Sequence, residues 1–374
     1  MNRPRIALLC FSPLRVGGVE THLLQIMEGM RSDFEFLAIG DAQEPFTTQA
    51  RDRGARVLPL RPSSKFDARM IWELDRVFRR ERIGIVHTHE ARAGLLARTA
   101  SKLAGRVSLH TIHTPAFFLV RSPARIWAYQ RVERLLNGVA SDAVVFVSPA
   151  IRDLYARLAL VPPGKSFLIP NGLEKDWFQA EREWRPSEAV QFVYVGRLAP
   201  EKDLPILFEA FQHMLADHPR ARLRIVGSGP LEDELVSLVG QRQLQSRVQF
   251  LGRLSREQGR QILRESDVFV LPSRFESMSY TLLEAMACGL ACVATDVGGN
   301  ADLLAGGAAG LLVAPADALA LEGAMRSVAG SVELRRQLGR AARERASQRT
   351  VERMLQSTRE LYFSLLAAHR LPQD

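Results

Sequence analysis

The stretch Asp267-Val-Phe-Val-Leu-Pro-Ser-Arg-Phe-Glu276-Ser-Met-Ser-Tyr-Thr-Leu-Leu-Glu284-Ala-Met-Ala-Cys-Gly289-Leu-Ala-Cys-Val-Ala-Thr-Asp-Val-Gly-Gly299 decides the fold. Val268 to Leu271 is a short, wholly apolar run, as expected of a parallel strand covered on both faces. Pro272 and Ser273 end it. A helix is expected from about Ser279 to Ala287, closed by Gly289 where a left-handed cap is preferred. Val293-Ala-Thr reads as the next strand, and Gly298-Gly299 turns the chain again. Strand, helix, parallel strand is the repeating unit of an α/β domain.

Two carboxylates punctuate this unit. Glu276 lies in the loop before the helix and Glu284 inside it. The helix start near Ser279, Tyr280, Thr281 and Leu282 offers free backbone N–H groups and the positive end of the helix dipole, a ready anion site. Spacing alone allows two readings: a phosphate flanked by acceptors for sugar hydroxyls, or a solvated Glu276 with a helix-surface Glu284.

Working outward, the same alternation appears twice. In the first half, Arg5–Phe11, Phe34–Ile39, Val57–Leu60, Ile83–His89, Val107–Thr111 and Asp142–Ser148 read as strands. A helix with an apolar stripe spans 69–81, and Ser148-Pro149 starts another with a serine cap and proline at its first position. The second half restarts at Gln191-Phe-Val-Tyr-Val-Gly196. Strands Leu223–Val226 and Val248–Gly252 precede the deciding stretch, and Leu311–Val313 follows it. With 374 residues, this predicts two doubly wound domains, each large enough for its own core. The expected division is 1–178, 179–350 and a last amphipathic helix, 351–374, crossing back to the first domain.

Glycines and charges stand at the predicted strand ends. Gly17-Gly18-Val-Glu20 follows the first strand. His87-Thr-His89 ends another, and Thr111-Ile-His113 a third. Alternate histidines on a strand are half of a possible metal site, but no nearby Asp, Glu or Cys cluster completes it, so no metal is expected. Arg197 and Lys202 sit five apart after Gly196. Leu223-Arg-Ile-Val-Gly-Ser-Gly229-Pro only half-matches a dinucleotide fingerprint, with Glu232 in the third glycine position. Arg253 follows the strand ending at Gly252.

Residues 1–184 hold 27 Lys and Arg against 19 Asp and Glu, a net +8 of the chain's +9. That bias suits an acidic partner such as a phosphorylated acceptor or an anionic membrane surface, or reflects genome composition. The segment from Phe117 through Arg121, Arg125, Trp127, Arg131 and Arg134 interleaves aromatics with arginines, as an interfacial helix or an ordinary one-faced helix would. No apolar run approaches the roughly 20 residues of a membrane span. The start Met1-Asn-Arg-Pro-Arg-Ile runs directly into a strand, so no signal peptide is expected. Cys10, Cys288 and Cys292 form no CxxC pair and read as buried thiols, so a cytoplasmic protein, free or on the inner face of the membrane, is expected.

The wording Glu276-x7-Glu284-Ala-Met-Ala-Cys-Gly289 resembles the donor-site signature of family 4 glycosyltransferases, retaining enzymes of the GT-B fold. Gly17-Gly18-x-Glu20, His87-Thr-His89 to Gly94, Ile169-Pro-Asn-Gly172, and the Arg197 and Lys202 pair agree with it. Two departures stand out: Glu276-Ser277-Met278-Ser279 where the family often has Glu-Gly-Phe-Gly, and Gly289-Leu-Ala where it often has Gly-x-Pro. The resemblance implies two Rossmann-like domains facing across a cleft and transfer of a sugar, from a UDP-sugar, with retained configuration. It implies Glu276 and His113 on the transferred sugar, Arg197 and Lys202 on the diphosphate, and Glu284 on the ribose. Gly17, Gly18, Gly229, Arg253, Ser279, Tyr280, Thr281 and Leu282 would border the donor. Glu20, His89, Arg121 and Arg125 would face the acceptor. The chain has no Asp-x-Asp, so two cations rather than a metal would compensate the leaving diphosphate; no cofactor and no nucleic acid are expected. The implied acceptor is a glycan or lipid-linked intermediate of surface-polysaccharide or lipopolysaccharide assembly. A soluble small-molecule acceptor, a sugar-nucleotide epimerase or a non-catalytic nucleotide-sugar-binding partner are the alternatives.

Overall fold

The computed structural model describes residues 3–14, 17–64, 67–178 and 189–369. The chain divides into two compact units, Met1–Gly172 with Val351–Asp374, and Leu173–Thr350. They part after Gly172 rather than at 178, and residues 179–188 lie outside the described residues.

The first unit is built on seven parallel strands: β1 (Arg5–Leu14), β2 (Glu35–Ala42), β3 (Arg56–Pro59), β4 (Ile83–Thr88), β5 (Val107–Ile112), β6 (Ala143–Phe146) and β7 (Ser166–Leu168). Their order is β3-β2-β1-β4-β5-β6-β7, so the winding reverses between β1 and β4. Every residue of β4, β5 and β6 is buried, as a sheet covered by helices on both faces requires. Alternate residues of β1 feed two cores. Ile6, Leu8 and Cys10 pack with Leu23, Ile26 and Met27 of the helix Gly18–Met30, and with Met354, Leu361 and Tyr362 of the helix Val351–Ala368. Ala7, Leu9 and Phe11 pack with Leu74 and Phe78 of the helix Ala68–Arg80 and with Leu96 and Ala100 of the helix Ala91–Ala104. The last helix is thus part of the first unit, pinned by Arg359 Nε on Asp33 Oδ2 at 2.9 Å and by the Tyr362 hydroxyl on His87 Nδ1 at 2.6 Å.

Two strands differ from expectation. β1 runs on to Leu14, because its pairing with β2 slips after Cys10 and resumes at Leu14 opposite Ala42. Asp142–Ser148 is not the last strand of the unit: the segment before Ile169-Pro-Asn-Gly adds β7 at the sheet edge, three residues long and cut short ahead of Pro170. Pro59 ends β3, the opposite edge, where a missing N–H costs no ladder bond.

The second unit carries six parallel strands: β8 (Gln191–Val195), β9 (Arg222–Val226), β10 (Val248–Gly252), β11 (Val268–Leu271), β12 (Ala291–Thr295) and β13 (Leu311–Val313). Their order, β10-β9-β8-β11-β12-β13, reverses between β8 and β11. β11 and β12 are buried throughout. The helix Tyr280–Ala287 follows β11 with Ser279 as its cap, and Gly289 takes the left-handed conformation just past its end. In an open parallel sheet, ligands bind beyond the carboxyl ends of the strands where the order reverses. The sequence-predicted residues Lys202 and Glu276 meet on the loops after β8 and β11, and His89 and His113 meet at the ends of β4 and β5.

Candidate active site

In the second unit, the loops after β8 and β11 are tied to one another. Arg274 Nε reaches Asp203 Oδ2 at 2.7 Å, and Arg274 N–H donates to the Glu201 carbonyl at 2.8 Å. The Tyr194 hydroxyl donates to the Arg197 carbonyl at 2.9 Å and fixes the start of the first loop. On this frame Lys202 Nζ lies 2.5 Å from Glu276 Oε1, and Ser273 Oγ donates to the same oxygen at 2.8 Å. Glu276 is 8% exposed, so its charge is met by a lysine and a hydroxyl rather than by water. Gly298 approaches so closely that a Cβ there would stand 1.4 Å from the Glu276 carbonyl oxygen, at φ +51°. Only glycine fits that position. Beside Glu276, Ser277 Oγ is buried without a hydrogen-bond partner.

Arg197 is exposed, on the loop after β8, which the loop after β9 supports. Gly229 lies against the Leu198 carbonyl, where a Cβ would come within 2.2 Å, and Leu198 N–H donates to the Ser228 carbonyl at 3.1 Å. The structure therefore brings Arg197, Lys202, Gly229 and Glu276 onto adjoining loops.

At the helix after β11, Ser279 Oγ accepts from Leu282 N–H at 3.2 Å and contacts Thr281 Oγ1 at 3.1 Å, a side-chain cap. The remaining N–H groups of the first turn have no helical partner. Glu284 lies one turn further on. Burial pushes its carboxyl up to about 8, opposed by the charge of Arg256 and reinforced by that of Glu174. Its side chain keeps some contact with solvent, which tempers the effect without reversing it. Burial likewise drives the Tyr280 hydroxyl well above its usual range. Arg256 Nη1 meets Glu174 Oε1 at 3.1 Å and its guanidinium lies 5.4 Å from the Trp177 ring. Arg253 is exposed at the end of β10, the outer edge of the sheet; the cation that Glu284 feels is Arg256.

In the first unit, Gly17 caps the helix Gly18–Met30, its carbonyl accepting from Thr21 N–H and Oγ1 at 3.0 and 2.9 Å. Glu20 folds back toward Gly17, where a Cβ would meet Glu20 Oε2 at 2.7 Å. The ends of β4 and β5 bring His89 and His113 together, His89 Nδ1 lying 3.2 Å from His113 Nε2. Glu90 fixes this corner. Its carboxylate accepts from Phe11 N–H at 3.1 Å, Arg92 N–H at 2.9 Å and Ala93 N–H at 2.7 Å. His22, from the helix after β1, packs edge-on against both rings, at 5.5 Å from His89 and 4.9 Å from His113. Arg121 and Arg125 stand apart on an exposed segment, and no described contact joins them to the histidines.

Sequence reasoning missed Ser273, the Asp203–Arg274 tie, Arg256 with Glu174, and His22. All but Ser273, whose partner Glu276 is three residues on, act through partners remote in sequence, which spacing does not register. A usable sign existed for Arg256: the capping box Ser255-Arg-Glu-Gln258 marks a helix start there.

With this geometry in view, comparison with known proteins is direct. Residues 16–177 match the family described as Glycosyltransferase Family 4, and residues 176–345 match Glycosyl transferases group 1. The chain belongs to these glycosyltransferases. It is 30% identical over 247 residues, 63% of this chain and 63% of the relative, to the UDP-Gal:alpha-D-GlcNAc-diphosphoundecaprenol alpha-1,3-galactosyltransferase of Escherichia coli. The matches span between 49% and 63% of the length of the first three curated relatives. Among solved structures, the sucrose-phosphate synthase of Thermosynechococcus elongatus superimposes at TM-score 0.84, with 23% identity, over 98% of this chain and 100% of that one. The Anabaena HepE protein in complex with UDP gives 0.81, with 21% identity, over 96% and 100%. These likenesses, with two parallel-sheet units each reversing at a switch point, show the GT-B fold.

Proposed function

We propose that the protein transfers a sugar from a UDP-sugar to a glycan or lipid-linked acceptor of cell-surface polysaccharide assembly, retaining the anomeric configuration. The observation that carries this reading is the Lys202–Glu276–Ser273 cluster at the β8/β11 switch point, next to a capped helix that holds Glu284. Preorganised cations and helix N–H groups aimed at a departing diphosphate supply the electrostatic part of such catalysis. Arg197 and Lys202 are assigned to the diphosphate, so no metal is assigned there. A phosphate oxygen takes the acceptor's proton as the glycosidic bond to the diphosphate breaks and the bond to the acceptor oxygen forms on the same face. Glu276 orients the sugar, Glu284 holds the ribose, and His113 is assigned to the oxocarbenium-like centre. Ser279, Tyr280, Thr281, Leu282, Gly17, Gly18, Gly229 and Arg253 are assigned to the donor, and Glu20 and His89 to the acceptor. Support for the donor comes from the UDP in the HepE complex, and for the acceptor from the diphosphoundecaprenol in the name of the Escherichia coli relative.

A membrane surface is the proposed location of the acceptor. Among the described residues no helix is long and apolar enough to cross a membrane. The helix Pro123–Val139, however, buries polar side chains beside Leu136 and leaves apolar ones exposed. It buries Glu133 and Asn137 against Arg98, and exposes Trp127 (60%), Leu135 (61%) and Val139 (57%). Arg131 stacks on Trp127 at 5.1 Å, and Arg121 and Arg125 lie nearby in sequence, all exposed. Apolar and aromatic side chains set among arginines fit an anionic bilayer surface.

The test is incubation of the purified protein with UDP-sugars and a polyprenyl-diphosphate-linked sugar. Acceptor-dependent UDP release with a product of retained configuration is expected; an inverted product, or no turnover with any donor, contradicts the reading.

A further inference from the structure

Behind His89 and His113 the first unit buries a histidine to which the proposed reaction gives no part. His87 lies two residues before His89, and His89 N–H still donates to the Leu9 carbonyl at 2.9 Å. Strand geometry thus reaches His89, and the two side chains leave the backbone on the same face. His87 is 1% exposed, and both of its ring nitrogens are engaged. Nδ1 lies 2.6 Å from the Tyr362 hydroxyl and Nε2 lies 2.7 Å from Thr111 Oγ1. A ring held at both nitrogens cannot turn without losing a buried hydrogen bond. Its face supports His89: the ring centroids are 4.0 Å apart, with 37° between the planes. His89 in turn sets Nδ1 3.2 Å from His113 Nε2, the two rings stacked at 26°. At the far end, Tyr362 is fully buried and Phe34 meets its ring edge-on at 5.4 Å.

We propose that Tyr362 and His87 are positioning residues for sugar transfer: the hydroxyl on the last helix fixes the His87 ring, His87 fixes His89, and His89 holds His113 in the orientation that meets the transferred sugar. The inference rests on the assignment of His113 to that sugar. Its geometry lies within one unit, and every link behind the half-buried His113 is buried. Burial keeps the three rings well below the ordinary histidine value and the Tyr362 phenol well above its own. At neutral pH the rings are therefore uncharged and the phenol keeps its proton. A neutral imidazole carries one N–H. Of the two hydroxyls on His87 the phenol is the stronger acid, so Tyr362 donates to Nδ1, and Nε2–H donates to Thr111 Oγ1. This sets His87 as the Nε2–H tautomer. Between His89 and His113 one nitrogen donates and the other accepts, which joins the two rings. The last helix thus supplies the site with a hydroxyl as well as covering the sheet.

The experiment compares Tyr362→Phe with Leu361→Ala in the full-length protein, by ring 15N spectra of labelled histidine and by steady-state rates. Tyr362→Phe removes one oxygen and keeps the ring. Leu361→Ala weakens the packing of the same helix in the same core and leaves the hydroxyl in place. Tyr362→Phe is expected to shift the ring signals of His87, His89 and His113 and to lower kcat about tenfold, with donor KM and UDP affinity unchanged. Leu361→Ala should melt at least as low, yet keep kcat and the histidine signals. Thr111→Val removes the other bond to His87 and should repeat the Tyr362→Phe result; it stands in should that variant fail to fold. Unmoved His89 and His113 signals in either folded variant, an unchanged kcat in Tyr362→Phe, or an equal loss of kcat in Leu361→Ala overturns the inference. The ring signals need no turnover, so an absence of sugar transfer in the natural protein counts against the proposed function, while the signals still decide whether Tyr362 sets His113.

Discussion

Lys202 Nζ and Glu276 Oε1 lie 2.5 Å apart across the two loops of the β8/β11 switch point, with Ser273 Oγ on the same carboxylate oxygen at 2.8 Å. Both side chains are largely screened from water, at 19% and 10% exposure. The pair is therefore held ready before any ligand arrives, and a donor sugar and its diphosphate would meet groups whose positions are already fixed.

From this pair follows the first prediction. Glu276→Gln keeps the side chain's shape and its hydrogen bond to Ser273, yet removes the charge facing Lys202. Lys202→Ala leaves a buried carboxylate unpaired, which costs stability as well. Each should lower turnover by about 10²–10³-fold, the range for removing one preorganised electrostatic group. Each variant leaves a screened charge uncompensated, so melting temperatures measured beside steady-state rates should fall in both, and further in Lys202→Ala, whose orphaned carboxylate is the more deeply buried of the two.

Glu284 gives the pH dependence. Its folded value is raised from 4.5 to about 8 by burial, so the folded state holds a proton that the unfolded state has released. Stability associated with this group is intact below pH 4.5 and is lost as pH rises through 8. Glu284→Gln should therefore raise the melting temperature at pH 9, by roughly 2–4 °C per kcal/mol relieved, with no gain at pH 4. If the ionised carboxyl is the form that accepts ribose hydroxyls, nucleotide binding at pH 7 releases protons. The calorimetric enthalpy would then change with the ionisation enthalpy of the buffer.

Ser277 stands where the family often has glycine, and its Oγ is buried and unpartnered next to Glu276. A hydroxyl of the donor sugar is the natural partner. Ser277→Gly should cost about 1–3 kcal/mol in kcat/KM for the preferred sugar, flatten discrimination between epimers, and leave UDP affinity unchanged. Equal loss for all sugars would remove Ser277 from the sugar pocket.

The exposed face of the helix Pro123–Val139 predicts binding to vesicles rich in anionic lipid. Trp127→Glu and Leu135→Glu change surface residues and should leave the fold intact while cutting co-sedimentation with such vesicles by about tenfold or more. Neutral vesicles should bind weakly in every case.

Much of this was legible in the sequence because it was local. The strand, loop and helix from Val268 to Ala287 occupy one continuous stretch, so Glu276, the Ser279 cap and Glu284 could be placed together. The Ser148-Pro149 helix start was equally plain, and Ser148 does accept from the Ile151 N–H. What escaped was non-local. The helix Phe46–Asp52 and the edge strand β7 are too short to show a period. Arg253 is next in sequence to a strand end, but Arg256, a turn of chain away, is the cation that Glu284 feels. The His87-Thr-His89 pattern has no acidic or thiol cluster near it in sequence. The side chains that converge on His89 are instead histidines from the helix after β1 and the end of β5, while His87 is spent on the last helix of the chain.

In the function proposed here, the second unit holds a nucleotide-sugar donor through Glu284, beside the Lys202–Glu276 pair. The decisive measurement is calorimetric titration of the protein with UDP, GDP and ADP in the presence of EDTA. Micromolar binding of UDP is expected, with weaker binding of the other two, and loss of at least about tenfold, or 1.4 kcal/mol, in Glu284→Ala. Failure to bind any of the three nucleotides, or equal UDP affinity in Glu284→Ala, would contradict it.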